Sequence, residues 1–199
     1  MISSNIPWHR VVNAKGEISH SPFDVSFHFD HNLRDVPNAP AQMQQAVEWL
    51  QSQLKDNTNN TRKQIELLGL IGVYARMLHD FPTAQQALIS AIELSDSIGS
   101  DRYKTINLIR LAHLYQWQQQ YILSENLFEQ VLINCRNNSE LNIYLDFAYQ
   151  HLGKCKFEQA RYVEAKYYFE EALKIRKTKG DHSLIQSTKL ALDVVQQYI

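Results

Sequence analysis

Six scattered glycines, five prolines and two cysteines in 199 residues leave little of what several function classes require. A phosphate cradle needs closely spaced glycines whose bare backbone can approach the phosphates, and six in all make one hard to build. Cys135 and Cys155 stand apart, without metal or redox spacing. No apolar run approaches the roughly 18 residues of a spanning helix. The opening MISSNIPWHRVV has no basic region followed by an apolar core, so no secretory signal is expected. Lys and Arg total 20 against 21 Asp and Glu. That balance gives no global attraction to nucleic acid or anionic membrane. No Ser/His/Asp order and no paired-carboxylate motif is present. The expectation is a cytoplasmic, non-enzymatic protein with no cofactor, metal, membrane or small-molecule substrate.

What the chain does have is a repeat. In Ile71 to Ile92, Leu111 to Leu132 and Leu152 to Leu173, a small residue (Gly72, Ala112, Gly153) is followed nine positions later by an aromatic (Phe81, Tyr121, Tyr162). Next come a small residue (Ala84, Ser124, Ala165), a bulky one (Leu88, Phe128, Phe169), and Ala91, Val131 or Ala172. A period near 40 residues marks stacked supersecondary units. The spacing predicts helix pairs over 62–98, 101–136 and 139–178, preceded by a helix from Ala41 to Lys55 and followed by a capping helix over 182–198. Gly72 is expected against Ala84, Ala112 against Ser124, and Gly153 against Ala165, because helices approach closely where small residues meet.

Residues 1–40 read differently, and the domain division is placed at 40/41. Asn13-Ala14-Lys15-Gly16 is a hairpin turn between Trp8–Val12 and Glu17–Ser19. Phe23, Val25, Phe27 and Phe29 alternate with Asp24, Ser26, His28 and Asp30, which is strand patterning. Such short strands cannot stand alone, so their apolar face is expected on the helical body. Whether they cover a binding face, and whether the chain is a monomer or an edge-paired homodimer, stays open.

The repeat, LGKCKFEQARYVEAKYYFEEAL above all, resembles the tetratricopeptide repeat. Its long period resembles the kinesin-light-chain and MalT-like subtype. The resemblance implies a mainly α, right-handed solenoid whose concave groove binds a protein or peptide partner, as an adaptor, regulator or inhibitor. By position it assigns the groove to Glu66, Gly69, Val73, Arg76 and Met77, then Ile106, Ile109, His113, Gln116 and Trp117, then Phe147, Gln150, Lys154, Phe157 and Glu158. The family's clamp for C-terminal carboxylates is not matched, because Gly69, Ile109 and Gln150, then Val73, His113 and Lys154, stand at its positions. Trp117 is the leading exposed candidate, against the alternative that it closes the inter-helix corner.

IPWHRVVNAKGEIS (residues 6–19) resembles the active-site segment of alkyltransferase-like proteins, in which Trp replaces the reactive Cys. With the basic run Lys174, Arg176, Lys177, Lys179 it supports the alternative, a nucleic-acid-associated protein. No helix-turn-helix is expected ahead of that segment, so nucleic acid is disfavoured. Three further candidates are weighed against ordinary structural roles. His28, Asp30 and His31 form a possible metal set, Cys155 between two lysines a possible low-pKa thiol, and His113 and His151 possible pH-sensitive contacts.

Overall fold

A computed structural model describes residues 22–199, together with the backbone of two short strands, β1 (Val11–Val12) and β2 (Ile18–Ser19). These two pair antiparallel, Val12 opposite Ile18. The turn between them and the rest of the 6–19 segment lie outside the described residues. A second hairpin joins β3 (Phe27–Phe29) to β4 (Asp35–Pro37) in antiparallel register, His28 opposite Val36.

Eight helices follow: α1 (Pro40–Asp56), α2 (Thr61–Met77), α3 (Phe81–Ser97), α4 (Asp101–Trp117), α5 (Tyr121–Asn137), α6 (Leu145–Glu158), α7 (Tyr162–Lys179) and α8 (His182–Val195). Each packs on the next, and α2, α4 and α6 also meet one another as an inner row. This is an α-solenoid, as the spacing predicts. The starts of α2 to α5 fall 20 residues apart because local signals recur at that interval. Asn60, Asp80, Ser100 and Asp181 each cap a helix start with a side-chain oxygen that accepts a backbone N–H.

The turns within the pairs use residues that give no sequence signal. His79, Gln119 and Ala160 all adopt left-handed φ, at 61°, 61° and 58°. The following amides, of Asp80, Gln120 and Arg161, reach back to the carbonyls of Ala75, Tyr115 and Lys156. This satisfies helix-end carbonyls in a Schellman-type closure normally given to glycine. The third pair departs from the predicted continuous helix, since Ser139–Tyr144 is a 3-10 segment that leads into α6.

The small residues of the first helices leave a groove that the facing helix enters. The bare backbone of Gly72 receives Leu88, and that of Gly153 receives the ring of Phe169. The bulky residue one turn on fills the groove that glycine leaves. Ser124 meets its predicted partner through a 2.8 Å bond to the Ala112 carbonyl. A Cβ at Gly153 would sit 2.7 Å from the Phe169 ring. Gly153→Ala is therefore expected to destabilise by roughly 1–2 kcal/mol, because overpacking outweighs the ~1 kcal/mol gain in helix propensity. Urea unfolding of the variant measures it.

Candidate functional site

The β3–β4 hairpin does not lie on the outside of the solenoid. It sits against the inner row, and three of its residues explain how. The chain reverses at Leu33, which holds a φ of 62° although it is not glycine. That strain is offset by burial, since Leu33 packs with Phe157, Ala165, Phe169, Ala191 and Val195. Arg34 forks onto Glu158, with Nε donating to Oε1 and Nη2 to Oε2, both at 2.8 Å. Gln116 Nε2 donates to the same carboxylate at 2.9 Å. Asp35 then points inward between two cations. Its Oδ2 accepts from Arg76 Nη2 at 2.7 Å and its Oδ1 from Lys154 Nζ at 3.3 Å.

Asp35, Arg76 and Lys154 are all buried, at 5%, 3% and 3% exposure, so this ion triad is out of water. Burial raises the Asp35 carboxyl, but the charges of Lys154 and Arg76 overcome it and hold Asp35 well below the usual carboxylate range. Phe27 joins the core of Met43, Val47, Leu50 and Leu67, which seats β3 on α1 and α2. The Lys154 ammonium lies 4.1 Å from the centre of the Phe29 ring.

Beneath the hairpin lies a cavity of about 50 Å³. Val73, Arg76, Met77, Ile109, His113, Gln150 and Lys154, all assigned to the groove from sequence, line it together with His151 and Arg176, named there for other roles, and with Arg110 and Ser187, which were not named. Gln116, Trp117 and Glu158 gather around Arg34 instead, and Phe157 packs on Leu33. Glu66 stands apart, accepting the Tyr103 hydroxyl at 2.9 Å.

Several expectations change. Trp117 is 4% exposed, with the Arg76 and Arg34 guanidiniums 4.5 and 5.2 Å from its ring centre and His79 beside it. It is the floor under the hairpin, not an open hot spot. An Arg76/Trp117 double alanine variant would strip a buried network, so its melting temperature is expected to fall. Trp117 Nε1 donates to His113 Nε2 at 3.2 Å, which leaves that nitrogen without a proton. The ring centres of His113 and His151 are 4.1 Å apart. Burial, and then the surrounding cations, lower both imidazoles well below the ordinary histidine value.

Cys155 is buried, its lysine neighbours are taken by Asp35 and Glu125, and burial pushes its thiol up to about 11, so the ordinary buried cysteine holds over the low-pKa thiol. In the basic run, Arg176 is 1% exposed and bound to Asp146, Gln150 and Thr188, while Lys179 also pairs with Asp146 and Lys174 with Glu171. The phosphate-contacting patch is thus largely spent on structure. His28 bonds Asn38, His31 bonds Asn32, and Asp30 accepts the Asn32 and Arg34 amides. Among the described residues no cluster of His, Cys, Asp and Glu is arranged to hold a metal ion. None of their helices is long and apolar enough to cross a membrane.

Residues 103–178, spanning α4 to α7, match the tetratricopeptide repeat family. Those residues carry tetratricopeptide repeats. Tetratricopeptide repeats generally mediate protein–protein interaction. No curated protein matches the chain. Within this repeat frame α2, α4 and α6 are the first helices of their pairs, and the β3–β4 hairpin occupies the face that they share.

Proposed function

We propose that the chain is a non-catalytic, cytoplasmic interaction module whose concave face receives an extended segment of a partner protein. Its own hairpin holds that face until the partner arrives. On this reading residues 1–40 are a regulatory extension and 41–199 the repeat body. The module then serves as an adaptor or regulator whose output depends on displacement. One observation carries the reading. Leu33, Arg34 and Asp35 are each met in turn, by an apolar hole, a carboxylate and two cations. A face so matched to an extended run of apolar, basic and acidic residues has the make-up of a peptide receptor. The partner segment is expected to present the same order.

The test is a labelled peptide copying residues 22–39, added to the full chain and to its Asp35→Ala variant. In the wild type the tethered hairpin competes at an effective concentration near millimolar, so the peptide is excluded. The variant is expected to bind it at least tenfold more tightly than wild type. Equal binding by the two chains, or by a scrambled peptide, sinks the reading.

A further inference from the structure

The cavity beneath the hairpin has a charge problem that the protein does not solve with its own residues. Arg76 and Lys154 share the single carboxylate of Asp35. Arg110 also lines the cavity, and its Nη1 donates only to the neutral Asn107 Oδ1, at 3.0 Å. Its seat is built. At Gly69 a Cβ would lie 2.0 Å from Arg110 Nη1, so only a bare backbone lets the guanidinium lie there. Arg176 adds no surplus, because Asp146 balances it. Three cations thus face one carboxylate, a surplus of about two positive charges in a place shielded from water, and uncompensated buried charge is costly.

The hydrogen-bond inventory points the same way. Arg76 Nη1, Arg110 Nε and Gln150 Nε2 are buried with no partner. All three residues line this one cavity, and Arg76 and Gln150 are each only 3% exposed. All three atoms are donors, so what fits among them is a group that only accepts. Room exists for it. About 50 Å³ is several times the roughly 10–15 Å³ that one water needs.

We infer that the cavity is a binding site for a small dianionic oxyanion of the phosphate or sulfate type, held beneath the hairpin by Arg76, Arg110 and Gln150. Two negative charges match the surplus, and the oxygens supply acceptors for the idle donors. A chelating pair of guanidiniums is the usual protein answer to such an ion. The charges felt by His113 agree: Arg76, Lys154 and Arg34 all act on it as cations. The site stands independently of which partner displaces the hairpin, because its donors come from α2, α4 and α6.

The experiment is calorimetric titration of the full chain with inorganic phosphate and with sulfate, at constant ionic strength set with chloride. Thermal melting is followed in parallel. Saturable heat and a rise in melting temperature are expected with both dianions, and neither with acetate. Identical behaviour in phosphate and chloride, as for a cavity filled by water alone, overturns the assignment. Gln150→Glu puts a carboxylate among the cations and keeps an acceptor for Arg176 Nη1, which now bonds Gln150 Oε1 at 3.1 Å. It is expected to melt above wild type in phosphate-free buffer and to lose the phosphate response. Arg110→Met, which breaks no ion pair, is expected to weaken phosphate binding at least tenfold. If either variant folds and still binds phosphate as the wild type does, the site is not here.

Discussion

Replacing Asp35 by Ala is expected to release residues 23–37 from the concave face while the helical body keeps its fold. Asp35 is the counter-charge for Arg76 and Lys154, all three being buried. Removing one partner of a buried pair costs about 3–5 kcal/mol when the remaining charge must stay buried. Here it need not, because undocking the hairpin returns both cations to water. The hairpin's hold is otherwise modest. Burying Phe27 and Leu33 contributes only roughly 3–6 kcal/mol, and it is opposed by the backbone entropy of ordering the segment. A loss of about 3 kcal/mol therefore tips the segment off before it unfolds the solenoid. Hydrogen exchange reads the difference. The amides of residues 27–37 should lose protection by about 100-fold while those of α3, α5 and α7 keep theirs, with helical circular dichroism unchanged. Uniform loss of protection across the helices would mean that the hairpin is an integral layer of the core. Arg34→Ala should do less, since Gln116 still donates to Glu158 and the Arg34 side chain is 21% exposed.

The contrast between what the sequence reveals and what it hides follows the range of the interaction involved. Helix faces are local. Once Gly72, Ala112 and Gly153 set the phase of each first helix, Arg76, His113, Gln150 and Lys154 fall on its inner face by periodicity. The structure gathers those side chains at one cavity. What covers the face is not local. Asp35 meets Lys154 across 119 positions of chain, and Arg34 meets Glu158 across 124. No period relates them, and Asp35-Val36-Pro37 is too short and too polar to announce a strand. The same limit explains Trp117. Helix position assigns it to the inner face, but whether that face is open depends on the hairpin. The apolar alternation of residues 23–29 did carry part of the answer, because a two-stranded ribbon that small must pack on something. Conformational detail was lost where residue type and backbone disagree. His79, Gln119 and Ala160 take a left-handed turn with side chains that seldom do, so no glycine marks it.

The second large effect expected is acid lability between pH 7.5 and 5, with its origin in the paired imidazoles of α4 and α6. Both histidines have lowered affinity for protons in the folded state, and in the unfolded chain they titrate near pH 6.5. Below that pH the unfolded chain binds protons that the folded one refuses, so stability falls as pH falls. Each such group removes about 1.4 kcal/mol per pH unit. At pH 5 this comes to roughly 2 kcal/mol for His113, and up to ~4 kcal/mol if the less buried His151 follows fully. The groups facing the pair reinforce the effect. Arg76 on α2, Lys154 on α6, Arg34 from the hairpin and Arg176 on α7 are cations, and only Asp35 opposes them. Protonating His113 would also break the bond from Trp117 Nε1, and protonating His151 as well would set two charged rings 4.1 Å apart. Asp35 acts in a separate window. Its lowered pKa makes its own contribution present above about pH 4 and lost only below it, so it cannot mask the histidine slope. Urea unfolding at pH 7.5, 6 and 5 is the measurement, with His113→Gln as the partner experiment. Gln at that position keeps an acceptor for Trp117 and cannot titrate, so at least half of the pH slope should vanish. A midpoint that stays flat down to pH 5 in the wild type would mean that the imidazoles take up protons in place. The cavity would then have to hold more negative charge than Asp35 supplies, and a bound dianion is what would provide it.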